Sequence, residues 1–231
     1  MLIGARLRQV RLARGYALED LASEMGGIVT KQALSKYEQG KAQPSQVVFN
    51  KLAAALNIKA ASLSGEPSVT FVFHGFRKTA SLGKRGQEHI KSEVIQLLED
   101  RVKLQHLYDR TNSPLPVPQF PVASFDEVEE AAGKLRDEWQ LGLAPLANVT
   151  STLEEHRVHV LEVSDKKDFD GLSVTVLDEM QRHIASAVVC STETAGERQR
   201  FSLVHELGHL VLKVGEKLDE AGGVTGRARL R

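Results

Sequence analysis

The sequence predicts an α+β chain in two parts, an N-terminal bundle of five short helices and a C-terminal domain that joins a small sheet to helices. Three observations predict it. The first 64 residues carry apolar positions at helical spacing, punctuated by glycines. After residue 155 come three strand-like runs, Val158–Val163, Leu172–Leu177 and Ile184–Val189, separated by Asp, Gly and charged residues. Between Phe201 and Leu212 lies FSLVHELGHLVL, an apolar helix interrupted by two histidines and a glutamate.

At 231 residues and 42% hydrophobic content, the chain has room for two modest domains with real cores. No apolar run approaches the roughly 18 residues of a membrane span, and MLIGARLRQVRLARG lacks the apolar region of a signal peptide. The expected location is therefore cytoplasmic, with no membrane partner. A single cysteine, Cys190, excludes an intrachain disulfide, and its setting in AVVCST points to a buried strand end rather than a nucleophile. Net charge is zero but unevenly spread: residues 1–64 hold nine basic side chains against four acidic, a net +5, which leaves −5 for the remainder. A basic module joined to an acidic one points to a polyanion as partner of the first.

Ile3, Leu7 and Val10 recur at helical spacing ahead of Gly15 and give the first helix; Leu18, Leu21, Ala22 and Met25 give the second, broken by Gly26-Gly27. Thr30 is a good N-cap for a third helix, Lys31 to Gln39, with Ala33, Leu34 and Tyr37 inward and Gly40 at its end. Pro44 and Ser45 open a fourth helix through Leu56, and residues 58–63 make a short fifth. Helices two and three, joined by a glycine-containing turn, form a helix-turn-helix whose outward residues are Thr30, Lys31, Gln32, Ser35 and Lys36. Those side chains suit double-stranded DNA: Gln pairs bidentately with adenine, Lys meets guanine or phosphate, Ser and Thr meet either, and a helix N-terminus attracts phosphate. A helical protein-interaction module is the other reading of the same pattern.

LRQVRLARGYALEDLASEMG and TKQALSKYEQGKAQPS resemble the Cro and phage-repressor class, the XRE family, over residues 4 to 64. The resemblance implies a repressor-like five-helix fold with Lys31 to Gln39 as recognition helix, and sequence-specific operator binding, usually by dimers. Two departures weaken the match. Ala17 and Leu18 stand where the family has Ser or Thr followed by Gln, removing a cap and a phosphate contact, and the turn at residues 26–29 is longer than the commonest form.

Residues 67–123 read as a linker carrying a long helix. Val69–Phe73 alternates like a strand or an extended linker, with FRK following at 76–78. Lys84 to Tyr108 reads as one helix with Ile90, Val94, Leu97, Leu98, Val102 and Leu104 on an apolar stripe, suited to packing in cis or to dimerisation. TNSPLPVPQFPVAS, residues 111–124, has four prolines and reads as an extended loop. The C-terminal domain, 124–231, then opens with a helix from Asp126 to Trp139 capped by Ser124, a short helix from Leu146 to Glu155, and the three strands.

In the helix that follows, His205 and His209 are four residues apart and so share one face, where two neutral imidazoles can grip one metal. Catalytic zinc takes three protein ligands and leaves a position for water, whose pKa falls from near 16 toward about 7. Glu206 would take the proton from that water, which is the chemistry of metal-assisted amide hydrolysis. The flanking apolar residues bury the helix, so its three ionisable groups need a partner; a metal is one, and two hydrogen-bonded core histidines are the alternative. A small sheet ahead of such a helix is the layout of compact zinc proteases, in which an edge strand binds extended peptide by strand addition; Ile184 to Cys190 is the candidate edge.

FRK at 76–78, AAGKLRDEWQLGLAPLANVTSTLE at 131–154, FDGLSV at 169–174 and GERQRFSLVHELGHLVL at 196–212 look like the ImmA/IrrE family of metallo-endopeptidases. The resemblance implies a zincin-like α+β domain and a cytoplasmic zinc peptidase that cleaves or antagonises a transcriptional repressor. It assigns metal binding to His205 and His209 and general-base duty to Glu206. The family's third ligand is an acid on a helix after the motif, in a segment resembling E-x-E-A-N-x-F-A. Here the chain runs VGEKLDEAGGVTGRARLR, with Glu216, Asp219 and Glu220 as its acids and no apolar periodicity after Ala221. Glu220 falls near where the family segment begins and is the candidate third metal ligand; truncation or a changed reading frame would account for the tail and would weaken zinc binding. The expected function is a DNA-binding transcriptional regulator carrying a zinc-dependent metallo-endopeptidase domain that acts on a repressor. The alternative is a nonenzymatic regulator whose second domain serves dimerisation or sensing.

Overall fold

A computed structural model of the chain describes residues 3–64, 69–78, 82–108, 117–164 and 168–214. The chain divides into two compact units. The first takes in Met1–Ser68 and Gly83–Arg101, the second Val69–Leu82 and Val102–Arg231. The segment read from sequence as a linker, 67–123, is thus divided between the units. Its strand belongs to a sheet, and most of its helix belongs to the helical unit.

The first unit holds α1 (Ile3–Ala13), α2 (Leu18–Glu24), α3 (Lys31–Glu38), α4 (Gln46–Ala55), α5 (Ala61–Ser64) and most of α6 (Lys84–Tyr108). Local chemistry sets the helix starts. Thr30 Oγ1 accepts the Ala33 N–H at 3.2 Å, and Ser45 Oγ accepts the Val48 N–H at 3.4 Å. Ala17 offers α2 no side-chain cap, as expected, but Asp20 Oδ2 reaches back to accept the Ala17 N–H at 2.6 Å and supplies half of a capping box. Gly26 and Gly27 turn the chain between α2 and α3 at φ 68° and 71°, the left-handed region where a side chain is strained. Leu7, Leu21, Leu34, Leu52 and Leu56 are fully buried at the centre. The fifth helix is shorter than its apolar pattern predicts, Ala61–Ser64 instead of residues 58–63. On α6, Ile90, Val94 and Leu98 are fully buried while Leu97 and Leu104 of the expected stripe are exposed.

A buried ion pair holds α3 to α1. Arg11 Nε and Nη2 donate to Glu38 Oε1 and Oε2 at 2.6 and 2.9 Å, with both side chains less than a tenth exposed, and Arg11 Nη1 donates to the Tyr16 carbonyl at 2.6 Å.

The second unit contains β1 (Val69–Lys78), β2 (Phe120–Val122), α7 (Phe125–Glu138), α8 (Val149–Glu155), β3 (Val158–Val163), β4 (Phe169–Asp178), β5 (His183–Ser191), α9 (Gly196–Val211) and β6 (Leu212–Val214). Its sheet has the order β1-β4-β5-β3, antiparallel except for the parallel pair β3 and β5. The expectation that residues 184–190 form an edge is wrong: β5 is interior, paired on both sides, and among the described residues the outer strands are β1 and β3. The proline-rich stretch is not all loop, since Phe120–Val122 pairs in parallel with β6; residues 111–116 lie outside the described residues. The helix read from residue 146 begins at Val149, with Asn148 Oδ1 accepting the Ser151 N–H at 3.1 Å as its cap.

α9 lies on the sheet across β4 and β5, burying Leu203, Leu207, Leu210 and Val211 against Val160, Val188 and Cys190. Cys190 is fully buried, and burial pushes its thiol up to about 11, in accord with a structural residue. The first turn of α9 is tied to β4 by Arg198, which donates to Asp170 Oδ1 at 2.7 Å.

Glu38→Ala is expected to destabilise the helical unit by about 3–5 kcal/mol, because it leaves Arg11 buried and uncompensated. Replacing both Arg11 and Glu38 by Met should restore most of the loss. The measure is the urea midpoint of the helical signal in the full chain; a transition unmoved by Glu38→Ala would show that the pair carries no such weight.

Candidate metal centre and nucleic-acid interface

One turn of α9 places His205 above His209, with ring centroids 4.9 Å apart and the planes edge to face. A ligand atom from each of His205, Glu206 and His209 lies within 4.8 Å of the others. The three expected residues are therefore brought together. Glu206, a position on from His205, points toward the sheet and is fully buried, whereas the two histidines are half-buried.

Two glycines make that burial possible. A Cβ on Gly171 of β4 would stand 3.0 Å from Glu206 Cγ, and one on Gly75 of β1 would stand 2.8 Å from Glu206 Oε2 and 2.6 Å from His209 Cδ2. Both strands approach the helix with bare backbone. Between them Ser173 Oγ donates to Glu206 Oε2 at 3.1 Å and accepts the buried Gly75 N–H at 3.3 Å. The carboxylate is thus oriented by a hydroxyl that is itself oriented by the neighbouring strand.

β1 is bulged at this level. Phe73 pairs with Val174 and Phe76 with Leu172, so His74 and Gly75 together oppose Ser173. His74 Nε2 is 2.8 Å from Thr175 Oγ1. Burial, with smaller contributions from the charges of His205 and His74, pushes the His209 pKa down to about 4, so this imidazole is neutral at pH 7, the form that can ligate a metal. Partial desolvation also lowers the pKa of His74.

Gly75, Ser173 and His74 were missed by sequence reasoning. A glycine inside the strand-like run VTFVFHGFRK was the available signal, because a strand glycine marks a bulge or a close backbone approach. Glu216, Asp219 and Glu220, the acids from which a third metal ligand was expected, lie outside the described residues.

In the helical unit, Thr30, Lys31, Gln32 and Lys36 are exposed and Ser35 is half-buried on α3. Several are already engaged. Thr30 caps the helix, Lys31 Nζ donates to Glu19 Oε1 at 2.8 Å, and Ser35 Oγ accepts from Gln39 Nε2 at 2.9 Å. The Glu19 contact raises the Lys31 pKa and lowers that of Glu19.

Residues 7–63 match the helix-turn-helix family model. The N-terminal unit carries an XRE-type helix-turn-helix domain. Over 57 residues the chain is 35% identical to the SPbeta prophage-derived uncharacterized HTH-type transcriptional regulator YonR of Bacillus subtilis (strain 168). That alignment covers 25% of this chain and 51% of the relative, so the chain spans about half the length of the regulator it matches. No solved structure gives a significant match. Among the described residues no helix is long and apolar enough to cross a membrane.

Gly75→Ala should disturb the centre more than its size suggests, because the new methyl meets the His209 ring and the Glu206 carboxylate. The expected outcome is a fall in divalent-metal affinity of at least about tenfold, the low end for disturbing a ligand's support, with the circular dichroism of the fold retained. Metal titration followed by calorimetry reads it, and unchanged affinity would show that β1 can retreat freely.

Proposed function

We propose that this protein is a DNA-binding transcriptional regulator whose second unit is a zinc-dependent metallo-endopeptidase acting on a protein, a repressor being the expected substrate. For the first unit, the carrying observation is the helix-turn-helix match over residues 7–63, with the exposed face of α3 available for the major groove. For the second it is the grouping of His205, Glu206 and His209 beneath the glycine-bared backbone of β1 and β4.

The donor set suits zinc: two imidazoles, one of them held neutral by burial, at the spacing of one helical turn. His205 and His209 would hold the ion. Zinc bound there supplies Lewis acidity toward a peptide carbonyl and toward water. Glu206 accepts the proton of the attacking water on its carboxylate and returns it to the leaving amine, while Ser173 keeps Oε2 from turning away. An extended peptide adds as a strand beside β1, whose Gly75 backbone approaches His209, and not to β5, whose two sides are occupied by β4 and β3. Operator binding by a homodimer accords with the repressor-like arrangement of the first unit.

Selection of duplexes from a random pool should return a short site whose affinity falls steeply with salt, and Gln32→Ala should cost about 1–3 kcal/mol of discrimination at one base pair. Binding indifferent to both salt and Gln32 would remove α3 from the interface.

Glu206→Gln should retain zinc and the fold yet lower the rate on a co-expressed repressor or a generic peptide substrate by roughly 10² to 10⁴. If the zinc-loaded wild type and the variant cleave nothing and regulate equally in cells, the nonenzymatic reading stands.

A further inference from the structure

We propose that the cavity at the C-terminal end of α9 is the pocket that takes an aromatic side chain of the substrate peptide, next to the bond that is cut. The inference rests on the metallo-endopeptidase reading above and names the kind of residue at which that peptidase would cut.

The cavity lies within the second unit and has a volume of about 480 Å³. That falls inside the range of roughly 300–1,000 Å³ usual for ligand pockets. Its walls include Val117 ahead of β2, Leu177 of β4 and Leu210 in the last turn of α9, and its floor is the sheet, where Thr175 pairs with Ser186. Polarity changes with depth. Val117, Leu210 and Ser186 are each less than a tenth exposed, whereas Gln119, Glu138 and Gln181 are exposed and form the rim. Both floor hydroxyls are already engaged: Ser186 Oγ lies 2.8 Å from His183 Nε2, and Thr175 Oγ1 lies 2.8 Å from His74 Nε2. Of the described residues lining the cavity, Glu138 alone is ionised at pH 7, since burial lowers the pKa of His183. A charged end group driven to the floor would find no free partner there, which is costly, while an apolar ring gains by the area it buries.

The strand register joins this cavity to the strand beside which the peptide is placed. Ser173 bonds Glu206 of α9, so Thr175 and Leu177, two and four residues on, face the same side of the sheet. Val72 and Thr70 of β1 stand opposite them and share that side. Val72 is 37% exposed, an apolar residue open to solvent between the outer strand and the cavity. The metal centre adjoins the same place: Leu210 directly follows His209, and Thr175 is bonded to His74, the neighbour of Gly75, where a Cβ would meet the His209 ring. A peptide paired with β1 sends alternate side chains to this face. Strands lie about 4.8 Å apart, so a side chain must cross Val72 to enter, and a short one falls outside. The residue whose ring crosses Val72 is the one the cavity takes, and the peptide bond beside it is the one presented to His205 and His209.

The test uses the full chain, metal-free and zinc-loaded, with peptides acetyl-Gly-Gly-Xaa-Gly-Gly-amide in which Xaa is Phe, Ala, Asp or Lys. Amide NMR titration of the metal-free wild type should show the Phe peptide binding tightest, by at least about tenfold over the Ala peptide, with the largest shifts at Thr175, Leu177 and Ser186. Gln119→Trp at the rim and Leu177→Trp on the wall fill the cavity and should abolish that preference with circular dichroism unchanged. The zinc-loaded wild type should cut the Phe peptide at a bond of its Phe residue. Equal binding of all the peptides, tighter binding of the Asp or Lys peptide, or a Phe preference that survives both Trp variants overturns the pocket. Cleavage without a Phe preference does the same and leaves the peptidase standing. A Phe preference in the metal-free chain with no cleavage by the zinc-loaded wild type overturns the peptidase instead, and with it the pocket's role as its substrate site.

Discussion

Everything in the second unit turns on getting one carboxylate out of water while keeping it useful. Glu206 is fully buried, and an isolated ionisable side chain is costly to bury. Room for it comes from Gly75 and Gly171, which place no side chain where β1 and β4 face the carboxylate, and Ser173 between them donates a hydrogen bond to Oε2. A Cβ at Gly75 would meet the His209 ring at 2.6 Å and the Glu206 carboxylate at 2.8 Å, and one at Gly171 would crowd Glu206 Cγ at 3.0 Å. The sheet order, the bulge in β1 and the Arg198 to Asp170 tie at the start of α9 all serve to hold this approach in place.

The same closeness sets the electrostatics. Packing His205 and His209 onto one helical face beside β1 leaves the rings partly desolvated and near one another, and both effects disfavour a proton on His209. Cys190, one layer deeper on β5, is raised toward about 11 by the same burial and takes no part in such chemistry.

Much of this was legible in the sequence, and the parts that were not share a cause. Helix limits set by local chemistry were readable: Thr30, Ser45 and Ser124 cap where their hydroxyls predict, and α6 runs from Lys84 to Tyr108 as its periodicity requires. The histidine pair was readable because helical spacing alone brings residues four apart together. Strand neighbours were not, because pairing is decided by distant segments. Ile184–Cys190 reads as an edge beside the histidine helix, yet its run of consecutive apolar residues is what burial on both faces produces, as β5 shows between β4 and β3. The strand that borders the histidines reads from sequence as a strand or an extended linker, and its one chemical signal, a histidine and glycine after an apolar alternation, acquires meaning only once Ser173 is known to lie opposite.

On the proposed DNA-binding reading, competition within the helical unit decides which α3 side chains are left to read bases and which only attract phosphate. Lys31 is bonded to Glu19, so approaching a phosphate means breaking that pair, and its net electrostatic gain is smaller than that of Lys36 at the other end of the helix. Thr30 already spends its hydroxyl as an acceptor for the Ala33 N–H and can offer a phosphate only its proton. Gln32 is exposed and carries both donor and acceptor, so on that reading it is the α3 residue that distinguishes bases. With Ala17 offering α2 no side-chain cap and with Thr30 and Lys31 engaged inside the unit, the proposed reading leaves base choice to Gln32 and phosphate attraction to Lys36.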